Sequence, residues 1–288
     1  MRRNFAQILK DAKIDIKAEY QKLYGMLYDR SILIPNATTS KTISAYDELS
    51  DYFMGFYFRG TCLSLDEFNE LHGFHFEKDP QDFNIDHLIA LCEYIENLLF
   101  AYQGALNTFG YGNMVMTQTP INVQFYMQQI SQVIEKIGYM QTTQDGFFIF
   151  VEKSPAAISV AELMPIDVSY KVISYNHYSM KGNLDAKKNT LLLFADILEP
   201  KRQELEGIDR TFASDLFYAF NNFNIRHNNV DPTGTKYKKP IADLTNEQME
   251  QWYDEVYQMC LLAFLRIEHI ERKKNFDVLK DSIENKKA

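Results

Sequence analysis

The sequence predicts a mainly α protein: a helical N-terminal region, a small β-hairpin and a C-terminal four-helix bundle. Three observations lead there. Only 12 Gly and 8 Pro punctuate 288 residues, a composition that favours long helices. Apolar residues recur at three- and four-residue steps along most of the chain. One stretch, residues 147–161, breaks that period with runs of aromatic and β-branched residues.

The elements follow in order. Residues 5–28 place Phe5, Ile8, Leu9, Ala12, Ile16, Tyr20, Leu23 and Leu27 on one helical face. A polar NATTSKT stretch separates them from a Tyr- and Phe-rich helical piece at 44–58. Ser64 and Glu67 form a capping-box pattern for a short helix closed by Gly73. A long helix is expected at 86–107. The GYGN stretch at 110–113 ends it, and Pro120 suits the first turn of a helix over 120–140 that stops at Gly138. The hairpin is expected from Phe147–Val151, a Lys153-Ser154-Pro155 turn and Ala157–Ala161. Four helices then follow: 166–180; Leu184 to Leu198 with a kink or restart at Glu199-Pro200 before Gly207; 210–224; and 246–274, capped by Thr245 with Gln248. The last carries Met249, Trp252, Val256, Met259, Cys260, Ala263, Ile267 and Ile270 as its apolar stripe. Short connections make these four a bundle. The expected division is 1–145, a hairpin connector at 146–164, and 165–288.

The formal charge is −9, from 30 basic and 39 acidic residues. A uniformly basic nucleic-acid surface is thereby excluded, whereas a local basic pocket is not. Cys62, Cys92 and Cys260 are odd in number and widely spaced, which reads as reduced thiols in a cytoplasmic protein. Met1-Arg2-Arg3 is followed by charges every few residues rather than the apolar core of a signal. No apolar run approaches the roughly 20 residues needed to span a bilayer, so no membrane partner is expected.

The densest chemistry is Arg226-His227-Asn228-Asn229 with Lys236, Lys238 and Lys239. Arginine presents a planar fork that matches phosphate, histidine moves protons near neutral pH, and lysines add affinity for a polyanion. The same residues also suit a helix C-terminus followed by a solvated loop, since the helix dipole favours cations there.

Residues 165–275 resemble HEPN domains, the all-α modules of bacterial abortive-infection proteins and toxins. The family motif is an Arg, a polar residue, several further residues and a His. Arg226 and His227 match its start; where the closing His belongs, this chain has Asp231, Pro232 and Thr233. Tyr175-Asn176-His177 and Leu198-Glu199-Pro200-Lys201-Arg202 also look like phrases of such proteins. The resemblance implies metal-independent binding or cleavage of RNA, no cofactor, and a homodimer with facing motifs. Arg226 would stabilise charge on phosphorus and His227 would transfer the proton. Asn228, Asn229, Lys236, Lys238, Lys239 and His177 would contact substrate. Asp231 would serve as a base only with a raised pKa.

Other patterns carry less. His72 and His75 form HxxH, but Gly73 lies between them and no HExxH exists; metal is not expected. Glu93 and Glu96 are one turn apart, where a solvated face is the simpler reading. The aromatics Tyr52 to Phe58, Phe74, Phe76 and Phe83 suit either a core or a protein interface. A non-enzymatic interaction protein that grips a partner with this N-terminal half is therefore the alternative function.

Overall fold

The computed structural model describes residues 15–29, 34–35, 42–108 and 120–284. They form a mainly helical protein with a small antiparallel hairpin, as the sequence predicts. The chain divides into two compact units, Met1–Phe150 and Val151–Ala288.

In the first unit, α1 (Ile16–Tyr28) starts at Asp15, whose carboxylate accepts the Ala18 N–H. The expected helix from residue 5 begins outside the described residues, as do Phe5, Ile8, Leu9, Ala12 and the GYGN stretch. Ile34–Pro35 (β1) pairs with Thr42–Ile43 (β2) in a short antiparallel ladder. The aromatic piece at 44–58 is not one helix. It is α2 (Ala45–Asp51), opened by a Ser44–Asp47 capping box, then a single 3-10 turn at Phe53–Gly55. That turn buries Phe53 and Phe56, three residues apart, and leaves Met54 and Tyr57 exposed. Helix α3 (Leu65–His72) has Ser64 as its cap and Gly73 at φ 72°, the left-handed conformation glycine adopts without strain. Helix α4 (Ile85–Thr108) is the core of this unit, with Leu88, Ile95, Leu98, Tyr102 and Ala105 fully buried. Helix α5 (Val123–Lys136) is capped by Asn122, and Gly138 at φ 83° turns the chain out of it.

The hairpin lies earlier than the sequence suggests. Its strands are β3 (Tyr139–Gln144) and β4 (Phe147–Glu152). The turn is Asp145-Gly146, both at positive φ (51° and 85°), the Asp-Gly chemistry of a tight type I′ hairpin. The expected second arm, Ala157–Ala161, is instead helix α6 (Pro155–Ala161). Ser154 caps it by accepting the Ala157 N–H, and Pro155 occupies its first turn. Ser-Pro initiates a helix here because proline's missing N–H costs nothing at that position.

The second unit continues with α7 (Ile166–Ser174), a 3-10 turn at Tyr178–Met180, and α8 (Leu184–Leu198). A 3-10 turn at Glu199–Lys201 leads to α9 (Arg202–Ile208), so Pro200 restarts the helix as predicted. Asp209 caps α10 (Arg210–Asn222) and also binds Arg266 at 2.9 Å. A short α11 (Lys239–Ala242) precedes α12 (Asn246–Glu284), where Thr245 and Gln248 make the expected reciprocal cap. The apolar face of α12 uses Tyr253, Tyr257 and Phe264 with Met249, Val256 and Cys260, whereas Trp252 stays half-exposed against Phe223. The buried run of α12 ends at Phe264. No helix among the described residues is long and apolar enough to cross a membrane.

Candidate functional site

The Arg226 loop begins where α10 ends. Asn224 adopts φ 58°, and the Arg226 N–H returns to the Phe220 carbonyl at 3.0 Å. This closes the helix and points the Arg226 side chain back along α8. There Nη2 donates to the Ala195 carbonyl at 2.7 Å and Nη1 forms an ion pair with Glu199. The guanidinium also lies 5.5 Å from the centre of the Phe220 ring. One fork thus covers the last carbonyls of α8 and a carboxylate, the arrangement a helix C-terminus favours for a cation. The Glu199 side chain is 44% exposed, so the pair faces water and the guanidinium is neutralised rather than sealed.

Asn229 is fully buried. Its Oδ1 accepts the Asn224 N–H at 2.8 Å, its Nδ2 donates to the Lys236 carbonyl at 2.9 Å, and its own carbonyl accepts the Lys238 N–H at 2.8 Å. These bonds tie the two ends of the loop together. Asn229 therefore holds the loop and has no polar atom left for a ligand, contrary to its expected place among substrate contacts. Asn228, Lys236, Lys238 and Lys239 are exposed, and His227 is half-buried. Asp231 accepts both the hydroxyl and the N–H of Thr233, at 2.7 and 2.9 Å. Those donors hold its carboxyl below the ordinary range, the opposite of what a general base at this position needs.

His177 occupies a different part of the unit. Its Nδ1 accepts the Ser179 N–H at 3.2 Å and lies 2.7 Å from the Ser179 hydroxyl, capping the 3-10 turn that leads into the start of α8. Arg226 is bonded at the other end of that helix. The 15 residues of α8, about 22 Å at 1.5 Å per residue, run between the two attachment points.

The sequence reading missed a charged cluster between α8 and α12. Lys187 is buried and binds Glu250 and Asp254, each at 2.7 Å. Its ammonium lies 5.4 Å from the Tyr175 ring. Tyr175 donates to Asp254 at 2.9 Å and stacks on Tyr257 at 3.9 Å between centroids. Burial pushes the Glu250 carboxyl up, but Lys187 and the Gly182 N–H pull it below its ordinary value. Every group is partnered, as buried charge requires. Nothing local announces the cluster: Lys187 sits in a Lys-Lys pair whose second member is half-buried and turns to Asn224 instead.

In the first unit the polar groups of α4 also depart from expectation. Glu93 and Glu96 do not form a solvated face. Glu93 accepts the Phe150 N–H at 2.7 Å, and Asn97 both accepts from and donates to the backbone of Phe148 at 2.9 and 2.8 Å. Glu96 is buried and receives the Gln141 amide at 2.8 Å. A row of α4 side chains thus satisfies the backbone of β4, which a two-stranded hairpin leaves open on one side.

The aromatic stretch leaves a cluster of rings partly exposed. The Tyr57 ring lies 5.8 Å from Phe147, nearly parallel, and meets Phe100 edge-on at 6.4 Å. Phe58 bridges Phe147 and Phe68, and Phe100 packs on Phe148. Tyr57 is 57% exposed and Phe100 43%. His72 belongs to the same system, its ring tilted against Phe68 at 4.5 Å between centroids. Among the described residues no group of three His, Cys, Asp or Glu side chains is placed to hold a metal. The three cysteines are buried thiols.

No family model, curated protein or solved structure matches the chain, so its functional reading rests on its own residues.

Proposed function

We propose that this protein is a non-enzymatic interaction protein whose first unit engages a protein partner through the Tyr57, Phe100 and Phe147 surface. The observation that supports it is a contiguous set of rings left facing solvent in a unit whose core is otherwise filled. Soluble surfaces rarely leave large apolar groups contiguous without a use, and aromatic rings are the side chains interfaces favour. The test compares cross-linking capture by the wild-type chain and by Tyr57→Ser/Phe100→Ser, two exposed positions that leave the core intact. A partner retained by the wild type and lost by the variant agrees with the reading. Identical capture by both proteins removes it.

A second reading, metal-independent binding or cleavage of RNA by a HEPN-like second unit working as a homodimer, is favoured by Lys236, Lys238 and Lys239. They are exposed together on a loop that Asn229 holds closed. Incubation with a mixed RNA pool in EDTA, beside Arg226→Ala/His227→Ala, tests it. RNA left equally intact and equally unbound by both proteins eliminates it.

A further inference from the structure

We infer that the aromatic face of the first unit takes a cationic peptide segment, with arginine or lysine side chains over Tyr57, Phe100 and Phe147 and acidic groups around them. This rests on the interaction reading above and names the partner's chemistry.

The charge distribution points to it. Residues 44–100 contain twelve acidic residues and two basic ones. That net charge of −10 exceeds the −9 of the whole chain, so the acidity of this protein is concentrated in the stretch that carries the exposed rings. Two of the twelve, Glu48 and Glu96, are buried; most of the others reach the surface. Helix α3 carries three of these acids and joins the ring cluster: its Phe68 packs on Phe58 at 5.2 Å, while Asp66, Glu67 and Glu70 are exposed. Asp66 and Glu67 are met by neutral donors, the Tyr46 hydroxyl and the Leu63 N–H, which leave their charge uncompensated. Arg59, the one basic residue in the aromatic run, folds its Nη1 onto the carbonyls of Gly60 and Cys62. Those carbonyls hold the guanidinium at its own turn without neutralising it, so one cation stands against the several acids of the stretch.

Exposed rings beside unneutralised carboxylates suit one ligand class. A guanidinium or ammonium is attracted by the face of a ring, and the surrounding field raises its local concentration and association rate. A nucleic acid or an anionic lipid surface meets the same field as repulsion. A purely apolar segment would gain from the rings and nothing from the acids.

The full-length protein should be titrated with a labelled amphipathic peptide that alternates arginine with leucine, and with versions carrying glutamine or glutamate instead of arginine. The arginine peptide should bind, the glutamine peptide about tenfold or more weakly, and the glutamate peptide not measurably. Raising salt from about 50 to about 300 mM should weaken the arginine peptide severalfold, as screening shortens the field. Tyr57→Ser/Phe100→Ser should weaken it about tenfold while circular dichroism stays unchanged. Glutamine and arginine peptides binding alike would overturn the inference and leave the interaction reading standing. Arginine peptide binding that ignores the ring substitutions would overturn it, as would binding of anionic vesicles or absence of binding to any peptide.

Discussion

Replacing Glu96 by glutamine removes one buried charge and keeps the hydrogen bond that Gln141 makes to it. Burial, only partly offset by that bond, raises the Glu96 carboxyl from its ordinary 4.5 to about 7. Below about pH 4.5 the group is protonated in both the folded and the unfolded chain and costs nothing. As pH rises, the unfolded chain ionises first, and the folded state loses relative stability until the folded group also ionises near pH 7. A carboxyl displaced from 4.5 to about 7 corresponds to about 3 kcal/mol, at about 1.4 kcal/mol per tenfold change. Glu96→Gln carries no charge at any of these pH values. Urea unfolding of wild type and variant, followed by tyrosine fluorescence between about pH 4 and pH 8.5, should give stabilities that nearly coincide at the acid end. They should separate in favour of the variant by up to about 3 kcal/mol at the alkaline end. Comparing the two cancels every other titrating group, including Glu48, whose carboxyl burial also raises. Parallel pH curves would show that Glu96 is solvated or paired in the folded chain and would refute the reasoning.

Three further outcomes follow from the same structure. Asn229→Ala strips the Asn224 N–H and the Lys236 carbonyl of their partners, so it should cost about 1–3 kcal/mol and speed amide exchange across 224–238; unchanged exchange would contradict the loop's architecture. Lys187→Ala leaves Glu250 and Asp254 facing each other without their cation, a loss of about 2–4 kcal/mol in urea unfolding, with Lys187→Ala/Asp254→Asn recovering part of it. Ending the chain after Asn275 removes the exposed last turns of α12, residues 276–284, so the melting midpoint of the second unit should stay within about 2 °C.

The helices were legible where local chemistry states them. Ser64 with Glu67, Thr245 with Gln248, and Gly73 each appear in the places their residue types prescribe. The hairpin was half legible. β4 announces itself by Phe147 to Val151, but β3 reads Met140-Gln141-Thr142-Thr143-Gln144, without a clear apolar alternation. The Asp145-Gly146 turn was the better signal, and Ser154-Pro155 was a helix start. On α12 the apolar period points to Trp252 rather than Tyr253 and Tyr257, because tyrosine reads as polar until its hydroxyl finds a buried partner, as Tyr257 does at the Val172 carbonyl, 2.8 Å away.

By itself the sequence determined the helical character, the caps and the restart at Pro200, because each depends on residues within a turn or two of one another. Only the tertiary structure decided what the notable side chains do. Arg226 is spent on α8, Asn229 on its own loop, Glu96 on the hairpin, and Lys187 on two carboxylates from a helix more than sixty residues away. A polar side chain's role is set by which donors, acceptors and charges the fold brings within about 3 Å of it. That neighbourhood is assembled from distant parts of the chain.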